Sequence, residues 1–595
     1  MHLNTLDWII IIVFFVVLLI IAIVASRSAG KGYNEFFLSG RNMPWWLLGV
    51  SMVATTFSAD TPNLVTDIVR QNGVSGNWLW WAFLLTGMLT VFVYAKLWNR
   101  SRVLTDLEFH EIRYSGRTAA FLRGFRAIYL GAFFNIMVIA SVSIALIKIS
   151  GVMLGWSPAQ TLIIASVVVV FYSALGGLKS ILFTDFFQFS LAMAGAIGAA
   201  IILVRKETGN LANLFAHPEV APRLSMIPDI NNTDMFIALL VIPLAVQWWS
   251  VWYPGAEPGG GGYVAQRMLS AKNERNAMGA TLLFNFFHYA MRPWPWIVVG
   301  LLSLIVYPDI ASLQDAFPHL DPQYIRHDFA YPAMLSRLPH GFLGLVVASL
   351  IAAFMSTTAS QLNWGSSYIV NDFYVRFLNP SATQRKQVIA GRVTTVALMI
   401  LALLFALVLE NALQAFHILL QIGAGTGLIY ILRWFWWRIN AFTELTGMIV
   451  SFLVAIGFLV LERFYGYNPG EAFKIVAGVT ITTVAWLTVT MLTPPADKEV
   501  LRSFYTKIKP GGPGWRQVVQ DARDEGAELV KEKDLRWDVP TGLLCMLLGA
   551  VAIYSTLFAI GEWIYDDLPK ALLFSVISVA ATYLLSRTWK KLTIK

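Results

Sequence analysis

Residues 54–63 read A-T-T-F-S-A-D-T-P-N, and they lie in the middle of an apolar segment that runs from about Pro44 to Val69. Lipid can satisfy neither a free backbone group nor a charge. Irregular polar backbone therefore survives at membrane depth only where it lines a protein cavity. A kink packed against neighbouring helices is the alternative, but it gives no reason for Asp60 to be there. The stretch indicates a binding site inside a membrane span.

The composition of the whole chain is that of a membrane protein. Hydrophobic residues make up 57% and charged residues 13% of the 595 residues, whereas soluble domains carry about 25% charged residues. The single cysteine, Cys545, excludes a disulfide within the chain and a cysteine-ligated metal site. We find no paired His/Asp or nucleophile arrangement for catalysis. The sequence therefore does not predict an enzyme.

Hydropathy predicts about 15 membrane spans, each built from roughly 20 apolar residues. They lie near residues 6–25, 44–69, 76–97, 122–149, 156–175, 182–204, 233–253, 277–306, 341–375, 387–409, 411–433, 441–463, 469–492, 539–561 and 568–587. An odd number of spans places the two termini on opposite sides of the membrane.

Positive charge predicts the orientation of these spans. The loop over 96–126 carries seven Lys and Arg residues, and further basic loops follow in alternation, including those that hold Arg267 and Arg433. Cytoplasmic loops carry such an excess. We therefore expect the N-terminus outside and the C-terminus inside. The net charge of +9 reflects this bias and does not predict nucleic-acid binding.

A second predicted span, near 233–253, is also interrupted. Residues 247–262 read Q-W-W-S-V-W-Y-P-G-A-E-P-G-G-G-G, and prolines and glycines cannot continue a helix. Interrupted segments at corresponding places in two halves indicate an inverted-repeat secondary transporter. An ordinary cytoplasmic loop is an open alternative for this second break, because Arg267 follows so soon.

Hydroxyl side chains on another span suit the chemistry of a sodium ion. Sodium is a hard cation that takes oxygen ligands, and a broken helix offers free carbonyls. Residues 352–360 read A-A-F-M-S-T-T-A-S, which places Ser356, Thr357 and Ser360 within about one turn. Helical Ser and Thr also bond to their own carbonyls, so this pattern alone leaves both readings open.

Five short motifs at the ends of predicted spans are more specific together than any one alone. They are 35–41 (E-F-F-L-S-G-R), 102–109 (R-V-L-T-D-L-E-F), 172–179 (Y-S-A-L-G-G-L-K), 184–188 (T-D-F-F-Q) and 433–438 (R-W-F-W-W-R). With these motifs the chain resembles the sodium:solute symporter family over roughly residues 30–450. That family includes sodium-coupled glucose, proline and sialic acid transporters.

The resemblance implies an all-α polytopic membrane protein with a five-plus-five inverted-repeat core of the LeuT type. The first repeat would span residues 44–205 and the second residues 233–438. Outside the core, we expect an extra N-terminal transmembrane helix and cytoplasmic loop over 1–43, additional transmembrane helices over 439–492, a cytoplasmic connector over 493–538, and a C-terminal helix pair with a basic tail over 539–595.

The resemblance also implies a sodium site. Members of the family join two carbonyls of the first broken helix to an Ala-x-x-Ser-Ser/Thr motif on the eighth core helix. Here the carbonyls would be those of Ala54 and Phe57. The motif residues would be Ala353, Ser356 and Thr357.

A second sodium site or an ion exit site is implied at Asp185 and Ser360. Some members hold a second sodium with an Asp of the fifth core helix and hydroxyls beyond the motif, and these two residues match. Ala359 stands where those members place a serine, which is a departure from their pattern.

The solute would lie beside the sodium, between the broken helices. The resemblance places Thr56, Ser58, Asp60 and Thr61 in that region, and it places His288 where sugar carriers have a Lys. Further substrate-binding candidates are Asn135, Trp248, Tyr253 and Gln421. For Arg292 we expect snorkelling or a carboxylate partner rather than a role in binding. The stretch Glu257-Pro258 followed by four glycines departs from the family pattern.

The function that we predict is sodium-coupled symport of a small polar organic solute, such as a sugar, an amino acid or a sialic-acid-like carboxylate, into the cell by alternating access. The expected partners are the solute, sodium and the lipid bilayer, and no nucleic acid or obligate protein partner. The expected location is the cell membrane, with a bacterial inner membrane fitting the compact loops. The alternative is a transporter-like receptor or a channel without coupled transport.

Overall fold

A computed structural model describes residues 3–26, 32–250, 257–318, 320–407, 423, 425–530 and 537–592 of the chain. The described residues are helical apart from their connections and one isolated bridge between Met43 and Ala271. Helices dominate because a backbone in lipid must satisfy its own hydrogen bonds.

The principal helices are numbered here in chain order. They are α1 Thr5–Ser26, α2 Trp45–Thr56, α3 Asp60–Asn72, α4 Val74–Ser101, α5 Gly116–Leu154, α6 Pro158–Glu207, α7 Thr233–Ala245, α8 Gly262–Ser270, α9 Glu274–Val306, α10 Phe342–Leu378, α11 Gln384–Ala406, α12 Gly427–Leu432, α13 Ala441–Tyr465, α14 Glu471–Leu492, α15 Lys498–Ile508, α16 Arg516–Asp524, α17 Val539–Ile564 and α18 Leu568–Trp589. Short helices also occur at Tyr33–Leu38, Phe109–Arg113, Leu211–Ala216, Ile310–Ala316 and Ala330–Leu335.

Eleven helices in the described ranges are long and apolar enough to cross a membrane, and α2, α7 and the first part of α6 are shorter apolar helices. The predicted span over 411–433 lies largely outside the described residues. The predicted spans over 156–175 and 182–204 correspond to the two parts of α6, which are joined at a kink where Gly177 leaves the helical conformation. Gly177 has φ 57°, and a Cβ there would lie 2.8 Å from the carbonyl oxygen of Phe36, so the kink needs glycine.

The first broken helix is formed by α2 and α3, and its break coincides with the polar stretch. Helix α2 ends at Thr56, and Phe57 leaves the helical region with φ −94° and ψ 81°. Helix α3 begins at Asp60. The ring of Phe57 stacks on Trp296 of α9, with ring centroids 5.1 Å apart and planes 4° apart. Packing against α9 therefore holds the irregular turn in place.

The second broken helix is formed by α7 and α8. Residues 257–261 between them are not helical, and residues 257–270 are all buried. Gly259 and Gly260 have φ of 84° and 93°, and added Cβ atoms would contact Tyr94 and Met268 at 3.0 and 2.4 Å. The glycines are thus needed for both conformation and close packing. The described part of this break is therefore buried and non-helical, and the choice between a broken transporter helix and a cytoplasmic loop stays a prediction.

Several arginines that the charge pattern assigned to loops lie inside the protein. Arg267 lies in α8 with none of its surface exposed, and Arg113, Arg126 and Arg433 are at most 1% exposed. These side chains take part in buried contacts, so counting them as free loop charges was wrong. The orientation of the termini stays a prediction.

The described part of the connector before α17 contains two helices, α15 and α16. Helix α15 precedes the turn at Gly511 and Gly512, and α16 ends at Asp524. Gly526, with φ 78°, follows the end of α16 closely, and such left-handed glycines are typical of helix ends.

Candidate functional site

A cavity of about 100 Å³ opens at the break of the first broken helix. It lies between α2, α3, α4 and α9. Thr55, Thr56, Ser58, Asp60, Thr61, Leu64, Val65, Trp80, Phe83, His288, Tyr289 and Arg292 line it. We call this space the solute cavity. Polar groups concentrate here because the backbone of α2 and α3 is interrupted at this depth.

Five of the predicted substrate-binding residues lie together in its wall. Thr56, Ser58, Asp60, Thr61 and His288 come from three different helices and the break between two of them. The hydroxyl of Thr61 donates to the carbonyl of Thr56 at 3.2 Å, which bridges the break. His288 Nδ1 lies 3.2 Å from the hydroxyl oxygen of Thr56. Their role in binding a solute stays a prediction.

Arg292 also lines the cavity, although the sequence favoured snorkelling or a carboxylate partner for it. Its guanidinium is only 1% exposed. It donates from Nη1 to the Thr56 hydroxyl at 3.1 Å and to the carbonyl of Val53 at 3.4 Å. It neither snorkels nor forms an ion pair within 4.0 Å among the described residues. Arg292 follows His288 by four residues, and residues i and i+4 share a helix face. This spacing was the signal in the sequence that Arg292 faces the same cavity as His288.

Aromatic rings close one side of the solute cavity. Trp80 of α4 stacks on Tyr289 with centroids 5.8 Å apart, and it meets His288 edge-on at 5.6 Å. The wall that faces the hydroxyls of α2 is therefore apolar and rigid. Such a wall excludes water from one side of a bound solute while polar groups fix its orientation.

The remaining predicted substrate residues do not lie at this cavity. Asn135 donates to the carbonyl of Gln361 at 2.7 Å, in a contact between α5 and α10. Trp248 is held through its carbonyl, which accepts a hydrogen bond from Thr86. Asn135 and Trp248 thus lie apart from the lining of this cavity, and their role in binding stays a prediction. Tyr253 and Gln421 lie outside the described residues.

Thr357, one of the predicted sodium ligands, contacts the end of α2. The hydroxyl of Thr357 on α10 donates to the carbonyl of Thr55 at 2.8 Å. The carbonyl of Ala54 accepts from the backbone N–H of Phe57 at 3.2 Å. Ala353 lies one turn before Thr357 and is 2% exposed. The helix end and the hydroxyl-bearing face of α10 are thus in direct contact. Whether these oxygens hold a sodium ion stays a prediction.

Asp185 of α6 joins the same region. Its two carboxylate oxygens accept from the hydroxyls of Ser356 at 2.6 Å and Ser51 at 2.5 Å. The side chain is fully buried. Asp185 therefore ties α6 to α2 and α10 by charge-assisted hydrogen bonds, which are stronger than neutral ones.

An unexpected cation lies at the predicted second sodium or exit site. The guanidinium of Arg267 donates to Ser360 Oγ at 2.7 Å and to Ser51 Oγ at 3.2 Å, and its Nη2 lies 4.0 Å from Asp185 Oδ2. Ser360 also contacts Thr55, with 3.0 Å between the hydroxyl oxygens. A positive charge from α8 is thus present beside the residues that we predicted for a second ion.

A second group of buried charges lies on the side of the protein that we predict to be cytoplasmic. We call His110, Arg126, Glu257, Arg433 and Glu444 the inner ionic cluster, and each is at most 4% exposed. Glu257 pairs with Arg126, and with Arg433 at 3.2 Å. Glu444 accepts from His110 at 3.0 Å and lies 3.4 Å from Arg433.

The inner ionic cluster connects both halves of the fold. Arg126 lies on α5, Glu257 in the second break, Arg433 after α12 and Glu444 on α13. No role could be predicted for Glu257 from the sequence, whereas the structure makes it a bridge between two arginines. The described part of the second break is thus anchored by charge as well as by glycine packing.

Comparison with known proteins decides the family. The model described as "Sodium:solute symporter family" matches residues 36–451, which is more than half of the chain. The chain belongs to the sodium:solute symporter family. The proteins of this family are transporters rather than enzymes.

Curated relatives of the transporter are sodium-coupled carriers. It is 27% identical over 450 residues to the sodium/glucose cotransporter of Vibrio parahaemolyticus, covering 73% of this chain and 80% of that protein. It is 26% identical over 543 residues to the sodium/myo-inositol cotransporter of Mus musculus, covering 81% and 72%.

The fold of the transporter is similar to a solved structure of a Na⁺-coupled sialic acid symporter in a substrate-bound outward-open state. The TM-score is 0.63 at 19% sequence identity, covering 83% of this chain and 99% of that one. At this identity the likeness shows the fold alone. The multi-pass helical architecture and the inverted-repeat type of core follow from it.

Proposed function

We propose that the transporter couples the inward movement of sodium to the uptake of a small polar organic solute by alternating access. The observation that carries this proposal is that one broken helix faces both candidate sites. Thr56 lines the solute cavity, and the carbonyl of its neighbour Thr55 contacts Thr357 of α10. The two candidate sites are therefore one residue apart along α2, so a movement of the backbone at one site is passed directly to the other.

The sodium ion binds, in this proposal, to the carbonyls of Ala54 and Phe57, to the carbonyl of Ala353 and to the hydroxyls of Ser356 and Thr357. Hard cations prefer such oxygen ligands. An inside-negative membrane potential adds about 2.3 kcal/mol per charge per 100 mV to the driving force. One sodium ion therefore suffices to accumulate the solute substantially.

We propose a stoichiometry of one sodium ion per solute. The residues implied for a second site, Asp185 and Ser360, already contact or neighbour the Arg267 guanidinium. A sodium ion placed there would meet like charge, which is unfavourable in a buried site. Transport that depends on sodium with a Hill coefficient near 1 supports this stoichiometry, and a coefficient near 2 contradicts it.

The inner ionic cluster serves, in this proposal, as the closure on the cytoplasmic side. It bridges α5, the second break, the end of α12 and α13. Alternating access requires that such pairs separate when the cavity opens inward. We place the protein in a cell membrane, with the bacterial inner membrane as the location that its compact loops favour.

The decisive experiment measures the sodium response of purified full-length protein. Thermal unfolding in detergent is compared in sodium chloride and potassium chloride, and uptake follows in proteoliposomes with an imposed sodium gradient. We expect sodium to raise the unfolding midpoint of the native protein. The double variant Ser356→Ala with Thr357→Ala should lose that rise. An equal rise in the double variant would refute the site.

Ser349→Ala provides the matched control. Ser349 lies on the same helix, is 2% exposed and donates only to the carbonyl of Val346 at 2.8 Å among the bonds described for it. We expect this variant to keep the sodium response. Currents far above carrier turnover in proteoliposomes would favour a channel, and sodium binding without any uptake would favour a receptor.

A further inference from the structure

We infer that the solute is a small zwitterion whose carboxylate binds Arg292 and whose ammonium group faces Asp60. This inference rests on the proposed function and gives the solute of that transport its chemical class. It comes from the charges in the wall of the solute cavity, which the protein itself does not pair.

Arg292 carries the first part of the argument. Its guanidinium is 1% exposed, and its nitrogens contact a hydroxyl, a carbonyl and an imidazole rather than a carboxylate. Its Nε is buried and has no hydrogen-bond partner among the described residues. Asp60 attracts the guanidinium across the same cavity but lies farther than 4.0 Å away, and a buried charge without a hydrogen-bonded counter-charge is unfavourable by several kcal/mol in general. A solute carboxylate would supply both the charge and the acceptor, and guanidinium matches carboxylate in geometry.

Asp60 carries the second part. It is the first residue of α3, it is partly exposed, and it lines the same cavity. No Lys, Arg or His nitrogen of the described residues lies within 4.0 Å of its carboxylate. The cavity thus presents one positive and one negative group that do not pair with each other. A zwitterion satisfies both charges, a hydroxy acid satisfies one, and a neutral polyol satisfies neither.

The cavity volume supports a compact solute. One water molecule needs roughly 10–15 Å³ on this measure, so a cavity of about 100 Å³ has room for a small solute. The hydroxyls of Thr56 and Thr61 donate to backbone carbonyls, so Ser58 is the hydroxyl of the cavity wall that would donate to the solute carboxylate.

Matched probes test the class of solute. Unfolding midpoints of the full-length protein are measured in sodium chloride with the common L-amino acids, and with three analogues of alanine: lactate lacks the ammonium group, alaninol lacks the carboxylate, and glycerol lacks both. Prolinol serves as the analogue of proline. We expect at least one amino acid to stabilise the protein more than its analogues do. A greater effect of glycerol or myo-inositol, or no effect of any amino acid while sodium still stabilises, overturns the inference.

Variants then assign the two charges. Arg292→Met should weaken binding of the stabilising amino acid by at least about tenfold, equivalent to about 1.4 kcal/mol, and Arg292→Lys should weaken it less. In Asp60→Asn, we expect the amino acid to raise the unfolding midpoint no more than its hydroxy acid does. Arg70→Lys is the control, because Arg70 is a buried arginine outside the cavity that donates to carbonyls of Ser303 and Tyr307.

The sodium response separates this inference from the proposed function. Stabilisation by sodium without any solute should persist in the variants at Arg292 and Asp60, which also shows that they are folded. If sodium stabilises the native protein but Arg292→Met binds the amino acid as tightly as the native protein does, the inference alone fails. If sodium does not stabilise the native protein, the proposed function fails.

Discussion

The inner ionic cluster and the solute cavity both contain buried charges, but they arrange them differently. In the cluster, two carboxylates and two guanidiniums pair with one another, and His110 adds a further hydrogen bond. In the cavity, Asp60 and Arg292 face the same space without forming an ion pair. The charges of the cluster pair with one another, whereas we propose that those of the cavity bind a ligand.

The difference follows from the cost of removing charge from water. Breaking a buried pair by removing one partner costs about 3–5 kcal/mol, because the other charge stays buried and uncompensated. When the charged group that is removed has no ion-pair partner, no other charge is left uncompensated, and the loss of stability is small. Binding sites often carry such a local cost in stability, which the ligand offsets. The two regions should therefore respond to neutralisation in opposite ways.

The largest effect is expected for Glu444→Gln. This change leaves His110, Tyr114 and Arg433 without their shared carboxylate. We expect a loss of about 3–5 kcal/mol of stability, measured as the free energy of unfolding in detergent. A loss below about 1 kcal/mol would mean that the cluster does not depend on its charges.

Glu257→Gln should have an intermediate effect. The amide oxygen of glutamine can still accept from Arg126 or Arg433, and Glu444 remains close to both arginines. We expect a loss of about 1–3 kcal/mol, the usual cost of an incompletely satisfied buried group. The same denaturation assay checks this. A loss as large as that of Glu444→Gln would show that the second break has no support from its neighbours.

Arg292→Met should change stability least among the buried substitutions, and in the favourable direction. Without solute, the methionine removes a charge that has no counter-charge within 4.0 Å among the described residues. We expect an unfolding midpoint equal to or above that of the native protein, together with weaker solute binding. A large loss of stability without solute would show that Arg292 stabilises the protein as the charges of the inner ionic cluster do. The two regions would then not differ in this respect.

Glu525→Gln gives the exposed reference for these comparisons. Glu525 pairs with Arg502 at 2.7 Å and Lys498 at 3.1 Å, at the surface of the connector. Surface pairs contribute little because water and salt screen them. We expect no measurable change in the unfolding midpoint. A change similar to that of Glu257→Gln would show that the connector depends on its charges more than its exposure suggests.

Much of the architecture could be predicted from the sequence, because lipid imposes strict rules on it. The break at 54–63 was visible as polar residues within an apolar segment, and α2 ends within it. The second break was visible as prolines and glycines, although the sequence left a loop as an alternative. Charge patterns were less reliable, since Arg267 and Arg433 look like loop charges but are buried.

The candidate site was predicted only in part, for a physical reason. Residues close together in the chain, such as Thr56 and Thr61, could be placed by the break itself. Asn135 is polar at membrane depth for another reason, since it bonds to a carbonyl on a neighbouring helix. Sequence alone does not separate a side chain that satisfies a neighbour from one that awaits a ligand.

By itself, the sequence determined the class of the molecule, the two interrupted helices and the hydroxyl-bearing face of α10, because hydrophobicity and helix breaking are local properties. The tertiary structure decided which charges pair. It placed Arg267 beside Asp185, Glu257 between two arginines, and Arg292 in the cavity without a carboxylate partner among the described residues. Pairing depends on distances between helices far apart in the chain, and only packing sets those distances.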